Sequence, residues 1–138
     1  MKQLIVLCAV TIFLLLFPIQ YALEQQNHKN ISELQKYVNA AKEQSKQKGY
    51  FTNEIINELK QNIVNNFNNI DESEVYINVT TSPKYRTNNY DDRELIKYEI
   101  GVPIKKILAS NLFWGITDSD NQYMYKVKGS TTSELVMP

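Results

Sequence analysis

The chain has 138 residues, and its acidic and basic side chains are equal in number, so its formal net charge is zero. That balance excludes a global basic field of the kind that gathers nucleic acid. A single cysteine, Cys8, excludes an intramolecular disulfide, and a single histidine, His28, leaves few means of building a transition-metal centre.

Leu4 through Leu23 contains no charged residue. As a helix this run is about 30 Å long, the thickness of a bilayer's hydrocarbon core. Its anchoring side chains are Leu4, Ile5, Val6, Leu7, Val10, Ile12, Phe13, Leu14, Leu15, Leu16 and Phe17. The segment reads as an uncleaved transmembrane anchor over residues 1–24. The competing reading is a cleaved secretory signal. Lys2 and the apolar centre fit it, but Gln20 stands where a small residue is wanted before a cut after Ala22. Cys8 lies among apolar neighbours, which predicts a buried apolar side chain rather than a lipoprotein acceptor. Pro18 predicts a kink, and Gln20 and Tyr21 suit a membrane interface. Lys29, Lys36 and Lys42 beyond the run oppose Lys2 before it, so charge alone does not fix the orientation. A short N-terminal tail ahead of a larger polar part predicts a single-pass protein of the cell membrane, with residues 25–138 as an extracytoplasmic domain.

Beyond Glu24 the helical pattern continues. Ile31, Leu34, Val38 and Ala41 recur at three- and four-residue steps and mark one stripe for helix packing. Gly49 is a natural C-terminal cap. Thr52 predicts the N-cap of a second helix, with Glu54 at the positive end of its dipole. Ile55, Ile56, Leu59, Ile63 and Phe67 supply its apolar face, and the Asn-rich run Asn65–Asn69 ends it.

The period then changes from helix to strand. Val75, Ile77 and Val79 alternate with polar residues, and Ser82-Pro83 closes that strand. Lys84–Arg93 is a polar loop. Ile96, Tyr98, Ile100, Val102 and Ile104 alternate over a second strand, with Pro103 at its end. Ile107–Trp114 is apolar and fits either a short helix or a strand. Gly115 and Asp118–Asn121 form a turn region, and a last strand runs from Tyr123 to Thr132. Helices followed by strands predict an α+β fold: a long membrane helix continuing as an amphipathic helix, a second helix, then a three- to four-stranded antiparallel sheet packed on the helical stripe.

Candidate chemistry is sparse. Asp118-Ser119-Asp120-Asn121 lacks the glycine and the closing glutamate of a calcium loop and reads as a polar turn. Asp91, Asp92 and Glu94 surround Arg93 and read as a charged loop rather than an acid/base pair. The glycines stand far apart, so there is no phosphate-binding loop, and no serine sits in a nucleophile motif. Asn30-Ile31-Ser32 and Asn78-Val79-Thr80 match a glycosylation acceptor pattern, as chance allows in an Asn-rich chain. These features predict a protein that is not an enzyme, with no cofactor, metal site, nucleic-acid partner or small-molecule substrate.

Tyr37-Val38-Asn39-Ala40-Ala41-Lys42, Gly49-Tyr50-Phe51-Thr52-Asn53-Glu54, Val75–Pro83, Lys84-Tyr85-Arg86-Thr87, Arg93–Ile96 and Asn121–Gly129 resemble segments of small pilin-like, or pseudopilin-like, membrane proteins. Such proteins belong to the tight-adherence pilus and conjugation clusters of Gram-positive bacteria. The resemblance covers most of the chain and implies a pilin-like fold. It also implies a structural place in a surface pilus, secretion or conjugation machine, with other pilin-like or secretion-machine proteins as partners. Processed pilins carry a glycine before their cleavage point and a glutamate five residues after it. Here Met1-Lys2-Gln3 precedes an apolar run without an acid, which points to a minor or accessory component that stays in the membrane.

Two functions follow as expectations. In the first, Leu4–Phe17 packs laterally in lipid and the Ile31-Leu34-Val38 stripe meets a partner, so that Leu34→Asp or Val38→Asp blocks assembly. In the second, an anchored or secreted binding module presents Tyr85, Tyr90, Tyr123 and Tyr125 as one surface. A single exposed aromatic patch would favour binding, and dispersed tyrosines would favour the structural role.

Overall fold

The computed structural model describes residues 1–67, 70–87 and 93–136. Helix α1 covers Lys2–Lys48 and α2 covers Asn53–Asn66. A single 3-10 turn follows at Glu72–Glu74, then strands β1 (Tyr76–Val79), β2 (Leu95–Ile104) and β3 (Tyr123–Thr132). The strands form one antiparallel sheet in the order β1-β2-β3, so the α+β layout is the expected one, with three strands. Tyr90, Asp91, Asp92 and the end of the Asn65–Asn69 run lie outside the described residues.

The chain divides into two compact units, residues 1–30 with 104–123 and residues 31–103 with 124–138. The second holds the core. Its helices begin and end where local chemistry dictates. The Thr52 hydroxyl accepts the Ile55 N–H at 3.2 Å, pairing a donor that the first turn of α2 would leave free. After α1, Gly49 turns the chain at φ +86°, and its N–H donates to the Ser45 carbonyl at 2.8 Å. A Cβ at this position would fall 2.6 Å from the Lys84 carbonyl oxygen and 2.8 Å from Leu135. Glycine is required here both for the left-handed backbone and for the close approach of those two segments.

Leu34, Val38 and Ala41 of α1 pack with Phe51, with Ile55, Leu59 and Ile63 of α2, and with Ile96, Ile100 and Val102 of β2. The stripe therefore receives the sheet and α2, as its spacing predicts. The same packing corrects the second role expected of it. Leu34 and Val38 are 0 % exposed, so they fill their own core and have no surface to offer a partner, whereas Ile31 is only half-buried. Tyr37 lies against this core. Burial, then the charge of Glu33 and a hydrogen bond to it, raise its phenol above the ordinary range.

In the sheet, Tyr76, Ile77, Asn78 and Val79 of β1 face Gly101, Ile100, Glu99 and Tyr98 of β2. Gly129 in β3 makes room for the Tyr98 ring, whose hydroxyl oxygen would lie 2.6 Å from a Cβ there. The segment after β3 is tied down by backbone and hydroxyl groups. Ser133 Oγ donates to the Lys84 carbonyl at 2.7 Å. The Arg86 N–H reaches the Leu135 carbonyl at 2.7 Å, and the Glu134 N–H reaches that of Lys46 at 2.9 Å.

Leu34→Ala is expected to cost about 2–5 kcal/mol through lost burial and a residual cavity. Val38→Asp is expected to leave this unit unfolded rather than merely unassembled, because the new charge has no partner inside the core. Gly49→Ala is expected to cost at least about 1–2 kcal/mol from its backbone conformation alone. Proteolysis of the detergent-solubilised full chain along a urea gradient measures all three.

Candidate functional site

The first unit is an apolar helix with a loop laid along it. The spacing of seven residues sets Phe13, Gln20 and Asn27 on one face of α1, two turns apart. Each of them holds the segment between β2 and β3. Asn27 Nδ2 donates to the Lys106 carbonyl at 2.9 Å. Gln20 uses both ends of its amide: Nε2 donates to the Ile107 carbonyl and Oε1 accepts the Ala109 N–H, each at 2.9 Å. Phe13 meets Trp114 edge to face, with ring centres 6.4 Å apart and planes at 88°. Leu16, Gln20, Leu23 and Asn27 are half-buried while most of their neighbours are exposed, which marks the covered face. The loop thus runs back along α1 from the level of Asn27 to that of Phe13.

The apolar stretch Ile107–Trp114 is neither of the regular elements its composition allows; it is a run of turns. Two buried asparagines replace a strand or helix partner. Asn121 accepts the Leu108 N–H at 2.8 Å and donates to the Leu108 carbonyl at 2.9 Å. Asn111 donates to the Ile116 carbonyl at 2.9 Å and to Asp118 at 2.8 Å. Such side-chain mimicry of backbone pairing satisfies a chain that has left the sheet. Gly115 closes the tip at φ +76°. Thr117 donates to Asp120 at 2.7 Å, so Asp118–Asn121 is the polar turn its composition predicts.

At the tip the large apolar side chains face outward. Leu112 is 72 %, Phe113 63 % and Trp114 52 % exposed. Phe113 and Trp114 meet edge to face at 5.2 Å, and Phe13 lies 6.4 Å from Phe17. The result is a continuous aromatic cluster shared by the loop and α1.

Among the described residues one helix, α1, is long and apolar enough to cross a membrane, and none of the residues in its apolar window is buried. Leu4, Ile5, Val6, Leu7, Val10, Ile12, Phe13, Leu14, Leu15 and Phe17 are exposed on it, and Leu16 is half-covered. Cys8 is exposed as well, because none of the described residues covers it. The hydroxyl of Thr11 is satisfied within the helix by the Leu7 carbonyl at 2.8 Å.

The described tyrosines among those expected to form one surface differ in exposure. Tyr85 is half-buried. Tyr125 packs on the core and accepts the Gln35 amide at 3.1 Å. Tyr123 is exposed, and Tyr90 lies outside the described residues. His28 is exposed, and among the described residues no three His, Cys, Asp or Glu side chains converge on a point. Glu94 is buried and accepts the Thr87 hydroxyl at 3.2 Å. The sheet carries an open groove of about 690 Å³, crossed by Asn78, Lys97, Tyr98, Lys128 and Gly129.

The sequence reading missed the loop tip as a surface. The available signal was an apolar run flanked by Lys105-Lys106 and Asp118, together with a glutamine inside the apolar run of α1. Compared with known families, with curated proteins and with solved structures, the chain matches none of them.

Gln20→Met is expected to keep the length of the side chain and lose both bonds to the loop. Two hydrogen bonds at about 1 kcal/mol each hold this segment. Amide exchange at Ala109 should therefore rise about tenfold or more, with exchange in the Leu34–Ile100 core unchanged. Hydrogen-exchange mass spectrometry of the full chain in detergent checks this.

Proposed function

We propose that this protein is a single-pass membrane protein whose apolar helix anchors an extracytoplasmic α+β domain. In this reading it is a minor pilin-like or accessory structural component of a bacterial surface pilus, secretion or conjugation machine, and not an enzyme. The observation that carries the reading is the uncovered apolar run of α1. Large side chains from Leu4 to Phe17 remain exposed, although each gains about 1.5–3 kcal/mol on leaving water. A hydrocarbon environment removes that cost, and the internal bond of Thr11 leaves no free hydroxyl at that position to object to it.

Because Leu34 and Val38 are consumed by the core, the surface left for lateral association is the bare face of α1 itself. Packing between helices in lipid works through close van der Waals fit rather than hydrophobic exclusion. A second reading is an anchored binding module. The groove across the sheet supports it, since Lys97 and Lys128 beside Tyr98 offer charge and an aromatic ring to a ligand.

Expression in a Gram-positive host, followed by fractionation, alkaline extraction and intact-mass measurement, tests the anchor. The full-length mass in the extracted membrane pellet is the expected result. A mass beginning near Leu23, found in the medium, would overturn it in favour of a secreted domain. In a host carrying such a machine, deletion of the chain should lower assembly. Normal assembly with an intact anchor would favour the binding module.

A further inference from the structure

We propose that the outer edge of β3 takes an added strand: an extended segment of a partner protein in which Asp or Glu alternates with apolar residues. The inference rests on the sheet alone and goes beyond the reading above. In the order β1-β2-β3, strand β3 has a neighbour on one side only. Every second residue of an antiparallel edge strand turns its N–H and carbonyl away from the sheet. Strand β3 is ten residues long, against four for β1 at the other edge. Just past β1 the chain itself closes in, and the Thr80 carbonyl accepts the Phe51 N–H at 2.9 Å. Among the described residues, no turn, loop or cap hydrogen bond reaches the backbone of residues 124–132. No side chain of β3 is buried. Met124, Lys126, Lys128 and Ser130 are exposed, and Tyr125 and Val127, which pack on the core, are only half-buried. Proteins keep such edges short or covered, because an open one is a template for pairing with another chain.

Charge decides which chain fits. Lys126 and Lys128 stand two residues apart, so both lie on the outward face of the sheet. A second copy of β3 is a poor occupant. In an antiparallel pair with both outward faces on the same side, the two registers of greatest overlap set Lys126 against Lys128, or Lys128 against the same residue of the other copy. Like charges directly opposite are destabilising. Carboxylates at alternate positions of an incoming strand have the matching spacing and the opposite sign. The sheet already contains one such pair: Lys126 meets Glu99 of the neighbouring strand at 3.6 Å. Lys128 is exposed, and none of the described carboxylates pairs with it. On the inward face the alternate residues of the same incoming strand would cover Tyr125 and Val127, completing burial that the edge leaves half done. Backbone bonds supply affinity in strand addition, and the alternating side chains supply selection.

The test uses the full chain in neutral detergent and three labelled peptides. One alternates glutamate with valine, one alternates lysine with valine, and one is the glutamate peptide methylated on alternate backbone nitrogens. Fluorescence anisotropy reads binding, and hydrogen-exchange mass spectrometry reads where the peptide sits. The glutamate peptide should bind saturably, about tenfold or more tighter than the lysine peptide, and slow amide exchange in residues 124–132 about tenfold or more. The methylated peptide keeps the charge and loses the ladder, so its binding should fall about tenfold or more. Lys126→Glu combined with Lys128→Glu changes two exposed side chains and should reverse the preference in favour of the lysine peptide. Equal binding of the methylated peptide would mean attraction by charge without strand addition and would overturn the proposal. So would a glutamate peptide that fails to bind, or one that binds no better than the lysine peptide. Slow exchange of the outward amides before any peptide is added would show the edge already covered, by this chain or a second copy, and would overturn it too. None of these outcomes bears on whether α1 spans a membrane, so the anchor reading stands or falls separately.

Discussion

Helix α1 has to take apolar side chains out of water by two different means. From Leu34 onward the partners are its own chain: α2 and the sheet close over Leu34, Val38 and Ala41. Toward the N-terminus the apolar surface is continuous around the helix, and nothing of comparable extent among the described residues covers it. A stripe can be buried by one layer of protein, whereas a helix that is apolar all round needs either a surrounding bundle or lipid. The change from stripe to full circumference is therefore the constraint on which the other features depend.

In the unit around the core, the demand is for close packing in a small volume without a disulfide. Leu34, Val38, Phe51, Ile63, Ile96, Ile100 and Val102 are nearly or wholly excluded from solvent. Two glycines show how tight the approach is. Gly49 admits Lys84 and Leu135 against the end of α1, and Gly129 admits the Tyr98 ring into the sheet. Polar edges are treated with similar economy. Lys126 pairs with Glu99 at 3.6 Å and lies over the Tyr76 ring at 4.6 Å, but both groups are partly solvated, and such contacts contribute little to stability. Burial of apolar side chains, more than charge, holds this unit.

Most of the fold was legible because it depends on local period. The 3.6-residue repeat through Leu34, Val38 and Ala41, the Thr52 cap, and the two-residue alternation from Ile96 to Ile104 each specify an element without reference to distant residues. What was not legible depends on pairing across the chain. The stripe on α1 looks the same whether it faces its own sheet or another molecule, and only the closure of β2 over it decides. Ile107–Trp114 has no period to read, since its backbone is satisfied by Asn111, Asn121 and Gln20 rather than by a ladder or a helix. The partner of Gln20 lies 87 residues away for one bond and 89 for the other. In the linear sequence that glutamine looks like an interfacial residue and nothing more.

Gln20 also explains how a loop can be held against an apolar helix without a large polar cost. A glutamine amide has donors and an acceptor, and leaving them unpaired in hydrocarbon is expensive, as is a loop backbone without partners. Joined to each other, the two liabilities cancel: the Ile107 carbonyl and the Ala109 N–H take both ends of the amide. Each bond gains strength as water is excluded, because the competing partner is gone. Docking commits one face of the helix, that of Phe13, Gln20 and Asn27, to the loop. Only the remaining faces of α1 are then free to meet a neighbouring helix, so the loop would select which side of the anchor any partner meets.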